Sequence, residues 1–159
     1  MIRRTIVAVL ALSVGVTSLP VSRAEEPTQQ VEVRVDDATA DTIEAALRYL
    51  AARQRDDGSW STTNDDHVVA LTAYAVHAFL AAGHVPGRGP HAKTLDRAVD
   101  YLLSSQRESG YLAAARGQSN MYGHGIATIV LGELYGQTQD ERVRPVLKKA
   151  VDCIIGAER

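Results

Sequence analysis

The chain has 159 residues, 17 basic against 19 acidic, a formal charge of −2 and a single cysteine, Cys153. One thiol cannot staple a chain to itself, so no internal disulfide framework operates. The acidic balance excludes the positive footprint that nucleic acid demands.

Met1-Ile2-Arg3-Arg4 is a short basic start, Thr5 to Leu19 an apolar run, and Pro20 breaks it. Ser22-Arg23-Ala24 places small residues at the two positions a signal peptidase reads, so residues 1–24 are read as a signal peptide cut before Glu25. An uncleaved anchor is the alternative, disfavoured by so short a run. The mature chain loses Arg3, Arg4 and Arg23 and no acid, becomes more acidic still, and is expected outside the cytoplasm, periplasmic or extracellular, with no membrane span. Residues 25–40 are polar and form an extended lead-in, with an alternation at Val31, Val33 and Val35.

The first helix is predicted to open near Asp41, where Asp41 and Glu44 have the spacing of a capping box. Ile43, Ala46, Leu47, Leu50 and Ala51 give one apolar face at helical spacing. The helix runs into Gln54-Arg55-Asp56-Asp57-Gly58-Ser59-Trp60. A second helix is predicted over His67 to Ala82, apolar nearly all round and stopped by Gly83. Pro86, Gly87, Gly89 and Pro90 mark a loop. A third helix, Thr94 to Gln106, repeats the first face 52 residues on, Leu95 for Ile43, Val99 for Leu47 and Leu102 for Leu50. It leads into Gln106-Arg107-Glu108-Ser109-Gly110-Tyr111-Leu112, again at 52 residues. A fourth helix spans Met121 to Tyr135 and ends at Gly136. A fifth begins around Pro145 and carries a third copy of the face at Leu147, Ala150, Val151, Ile154 and Ile155. Cys153 falls where Tyr49 and Tyr101 fall and is read as a packing residue.

A fixed period of this length marks an array of stacked helix pairs. The expected fold is all-α, an incomplete α/α toroid with two hairpins and one unpaired helix, its repeats filling 41–159. Because a repeat unit cannot bury its face alone, the fifth helix needs the rest of the toroid or another copy of the chain beside it.

The first joint resembles the Gln-x-x-Asp-Gly-Ser-Trp signature of the prenyltransferase and squalene-oxidase repeat, whose members are α/α toroids. The second joint departs from it, with Ser109 for the acid and Leu112 for the tryptophan. Asn120-Met121-Tyr122-Gly123-His124-Gly125 resembles the start of an inner helix in exported bacterial members. The resemblance implies a structural role for Gln54, Gly58, Trp60, Gln106 and Gly110, tying one outer helix to the next; sugar stacking on Trp60 is the alternative. It also names chemistries to look for. Terpenoid cyclases need an Asp-x-Asp-Asp acid, and Asp36-Asp37, Asp56-Asp57 and Asp65-Asp66 are not that. Prenyltransferases bind zinc through Asp, Cys and His, and no such set is legible here. Thioester-containing domains need Cys-Gly-Glu-Gln, whereas Cys153 is followed by Ile154 and Ile155.

The candidate ligand-binding residues are Asp66, His67, Tyr122 and His124, at the starts of equivalent helices near one mouth of a toroid cavity. The competing reading makes Asp65 or Asp66 an N-cap and the histidines surface or core residues. His77 reads as a lone, hydrogen-bonded core histidine, and Glu133 lines a cavity or faces water. No catalytic residue, metal or cofactor is implied. The expected function is an exported binding scaffold for a protein or small molecule; the alternative is a fragment of a terpenoid-cyclase-like or prenyltransferase-like enzyme.

Overall fold

A computed structural model describes residues 35–62, 65–115 and 119–157. The lead-in before Val35, like the signal peptide, lies outside them. The described residues form five helices: α1 (Asp37–Ala52), α2 (Val68–Ala81), α3 (Ala92–Ser104), α4 (Met121–Thr138) and α5 (Val143–Ala157). Among them the β-structure is limited to an isolated antiparallel bridge between Gln106 and Leu112. The all-α architecture of stacked hairpins agrees with the repeat pattern.

Helices α2 and α4 lie side by side at the centre, and α3 packs on α2 and α5 on α4. Phe79, Val76, Leu131 and Leu134 of this inner pair are wholly buried, as are Leu95, Val99 and Leu102 of α3. The fifth helix is therefore not alone: Val143 and Ala150 are fully buried against α4's side of the core. Val151 and Ile155 of the same helix remain exposed. The least embedded helix is α1, where only Leu47 is buried and Ile43 is exposed.

Several boundaries differ from the sequence expectation, among them the end of α3 at Ser104 rather than Gln106 and the start of α5 at Val143 rather than Pro145. Helix α1 begins four residues before Asp41, because Asp36 is the N-cap and its Oδ1 accepts from the Thr39 N–H at 2.7 Å. Asp41 therefore lies inside the helix, and the Asp41–Glu44 capping box does not form. Helix α4 continues through Gly136 to Thr138 and is ended by Gln139 in a left-handed conformation, φ 54°. Helix α3 starts two residues before Thr94, at Ala92.

The two joints are one structure built twice. The Gln54 side-chain amide has two N–H donors. One goes to Gly58 O in its own loop at 2.9 Å, the other to Thr94 O of the next outer helix at 2.8 Å. Gln106 does the same to Gly110 O at 3.1 Å and Val146 O at 2.7 Å. Each glycine has φ 88° and lets the loop touch the next helix. A Cβ on Gly58 would lie 2.3 Å from Arg97 O, and one on Gly110 2.2 Å from Lys149 O. Both are below the closest approach that real side chains show, so the helix-to-helix distance is set by the missing side chain. Trp60 closes the first joint, its indole N–H donating to Leu50 O at 2.9 Å.

Candidate functional site

The inner helices begin differently. Asn120 caps α4, its Oδ1 accepting from Gly123 N–H at 2.9 Å. At the start of α2 the N-cap position is His67 rather than Asp65 or Asp66. Its φ is 58° and its side chain makes no capping bond. Asp65 also has a positive φ, accepts from Ser61 Oγ at 2.9 Å and pairs with Arg55. Asp66 is half-buried beside it.

His124 is wholly buried and both ring nitrogens are engaged. Nδ1 accepts from Leu112 N–H at 3.0 Å, which assigns the proton to Nε2, and Nε2–H donates to Ala150 O at 3.2 Å. Burial lowers its pKa and keeps it neutral. Its counterpart 52 residues earlier is Thr72, whose Oγ1 accepts from Trp60 N–H at 3.1 Å. The histidine thus fills the threonine's place in the second joint and reaches further, to α5. His67 and His124 share one crevice with Asn120 and Gly123, but it holds only about 10 Å³, about the volume of one water probe and far too little for a ligand. Asp66 and Tyr122 are not part of its lining.

Tyr122 instead turns to α2. Its hydroxyl meets that of Tyr74 at 2.6 Å on the exposed face of the inner pair. On that face His77 Nδ1 also meets Glu133 Oε2, again at 2.6 Å. His77 is half exposed rather than a core residue, and Glu133 faces a partner across the helix pair rather than bulk water alone. The spacing Tyr122, Ile126, Ile129, Glu133 is one stripe of α4, and Tyr122 and Ile129 are each 66 % exposed. Gly125, Gly132 and Gly136 flank that stripe, and a Cβ at any of them would meet nothing within 4 Å. The result is an open strip with two polar bridges, an apolar contact and accessible backbone.

A second concavity, about 480 Å³, lies between the two joints and is lined by Arg55, Asp57, Asp65, Tyr101, Gln106 and Arg107 among others. Its charges are largely matched internally. Asp65 holds Arg55 in its charged form, and the Ser59 N–H and hydroxyl hydrogen-bond Asp57 at 3.0 and 2.6 Å. Burial pushes the Tyr101 hydroxyl up.

A third cluster was not legible in the sequence. Glu44 of α1 receives both histidines that flank the loop from α2 to α3. His91 Nε2 lies 2.8 Å from Oε1 and His84 Nε2 3.3 Å from Oε2. The rings meet edge to face at 4.7 Å, and His91 is buried against Phe79 at 5.0 Å. The His91 hydrogen bond holds the Glu44 carboxyl below the usual carboxylate range. In the sequence Glu44 has the spacing of a capping box with Asp41, and the two histidines stand seven apart with no motif. Only the folding back of the loop onto α1 unites them. These three side chains are of the types that hold a divalent metal.

The chain matches the family model for the A-macroglobulin TED domain over residues 16–156. No curated protein matches, and no solved structure does. A match over most of the chain agrees with the helical, toroid-like packing of its described residues, and this protein belongs to the A-macroglobulin TED domain family.

Proposed function

We propose that this chain is an exported, non-catalytic TED-type binding module that recognises its ligand on the exposed face of α2 and α4. The observation that carries the reading is the composition of that face. At three glycines in α4 an added Cβ would meet nothing within 4 Å, although each weakens a helix by about 1 kcal/mol relative to alanine. Packing explains Gly123, whose Cβ would sit 3.4 Å from that of Ala70, but not Gly125, Gly132 or Gly136. A ligand lying along the helix backbone does explain them. Beside them Ile129 offers apolar contact, while the Tyr74–Tyr122 and His77–Glu133 bridges offer donors and acceptors held in place before binding.

The thioester chemistry that gives such domains their name is not part of this reading. Cys153 is a free thiol on α5, half-buried and followed by Ile154-Ile155. The paired joints also support a wider kinship with the prenyltransferase and squalene-oxidase repeat, and the basic, then apolar, then Ser22-Arg23-Ala24 start supports export. The exposed Val151 and Ile155 suit coverage by a further helix hairpin of the same kind.

Methylamine treatment with intact mass analysis tests the chemistry. An amine attacking a thioester forms an amide and releases the cysteine thiol. The expected result is one alkylatable thiol per denatured chain before treatment and no mass gain after it. A thiol that appears only with methylamine, together with the mass of one amine, would overturn the non-catalytic reading.

A further inference from the structure

We propose that the Nε2 atoms of His84 and His91 and the carboxylate of Glu44 form a transition-metal site, filled by Zn²⁺, that clips α1 to the loop between α2 and α3. It stands apart from the proposed recognition face and uses none of its residues. The three ligand atoms all lie within 4.8 Å of one another. Tetrahedral zinc with ligands at about 2.0–2.1 Å sets them about 3.3 Å apart. His84 Nε2 lies 3.3 Å from Oε2 and His91 Nε2 2.8 Å from Oε1, one ring on each oxygen of the Glu44 carboxylate, so a modest turn of the carboxylate and a small outward shift of His91 bring the three groups to that spacing. On binding, each neutral imidazole moves its single ring proton from Nε2 to Nδ1 by exchange with water, which frees both Nε2 lone pairs for the ion with no net proton released. Two imidazoles and a carboxylate suit zinc, with water completing the coordination.

The repeat shows that the fold does not require these residues. His91 plus 52 is Val143, an apolar side chain that is also fully buried at the corresponding place on α5. Glu44 plus 52 is Asp96 on α3, whose Oδ1 accepts from the Gly87 N–H of the loop from α2 to α3 at 3.0 Å. The second repeat therefore has no histidine at either place, His84 plus 52 being Gly136. His91 also occupies the N-cap of α3 without capping it. That position favours Ser, Thr, Asp or Asn, and the sequence gives it to an imidazole turned towards Glu44. The site would brace α1, the helix with the least buried surface of its own.

The test is calorimetric titration of the untagged full chain with Zn²⁺, paired with Co²⁺ absorption to report coordination. One equivalent should bind, and the bound Co²⁺ should give the intense visible bands of a low-coordinate site. His84→Ala and Glu44→Gln should each weaken binding by roughly a hundredfold or more. His91→Val, which copies the second repeat, should abolish it, while Glu108→Gln, at an exposed acid outside the site, leaves it unchanged. Zinc should raise the melting temperature of the wild type and not of His84→Ala. Two results would overturn the proposal. One is no binding by the wild type at tens of micromolar zinc, roughly the level above which adventitious sites fill. The other is binding that His84→Ala and Glu44→Gln leave intact.

Discussion

Replacing Gly58 by alanine tests whether the joint holds the repeats together. The new Cβ would stand 2.3 Å from Arg97 O, a backbone atom that cannot swing aside. The φ of 88° adds about 1–2 kcal/mol for a side chain in the left-handed region. To relieve the clash the loop must withdraw from α3, which loosens the Gln54 bonds to Gly58 O and Thr94 O, each worth about 1 kcal/mol. The sum is about 3–4 kcal/mol, a fall in melting temperature of roughly 10–20 °C for a domain of this size. Gly87 is the control. Its φ is 77° but nothing lies within 4 Å of its Cβ position. Gly87→Ala carries the conformational term alone, about 1 kcal/mol or more. Thermal and urea unfolding followed by circular dichroism should therefore place Gly58→Ala well below Gly87→Ala. Equal losses would refute the close approach of loop and helix as the source of the joint's strength.

Other outcomes follow from the same geometry. His124 has a lowered pKa, so its neutral form is the stabilising one. Its contribution should be complete above the unfolded value of about 6.5 and decline as pH falls from there towards the lower folded value. Urea midpoints at about pH 7.5 and about pH 5.5 should differ in the wild type, and His124→Thr, which imitates Thr72, should lose most of that difference. Trp60→Phe keeps a ring but removes the donor to Leu50 O, and should cost about 1–2 kcal/mol in urea unfolding. Tyr122→Phe alters an exposed contact and should change stability by no more than about 0.5 kcal/mol.

Periodicity made the fold legible. The 52-residue interval located both joints, and the helix faces it superposed are the ones buried in α3 and, in part, in α1 and α5. The glutamine, glycine and tryptophan were legible because a joint needs those groups: a two-donor amide, a missing side chain and a large ring with one N–H. Helix ends were less legible. The sequence spacing points to a cap at Asp41, whereas Asp36 is the residue whose carboxylate meets a free N–H, that of Thr39. The candidate site was legible only in part. Tyr122 does belong to an exposed inner surface, but its partners Tyr74 and Glu133's partner His77 come from another helix, at separations that are not the repeat. His124 carries a residue type associated with ligands, and it serves as a buried strut because its position is that of Thr72. Glu44, His84 and His91 come together through a loop whose path no local pattern encodes.

The proposed recognition surface is the exposed face of α2 and α4. A photoreactive amino acid placed at Tyr122 of the chain, compared with one at Arg88 in the loop from α2 to α3, tests it directly. Irradiation in the native medium should give a discrete covalent adduct from position 122, absent from position 88 and lost when Ile129→Asp is added. Equal adducts at both positions, or adducts indifferent to Ile129→Asp, would contradict the account.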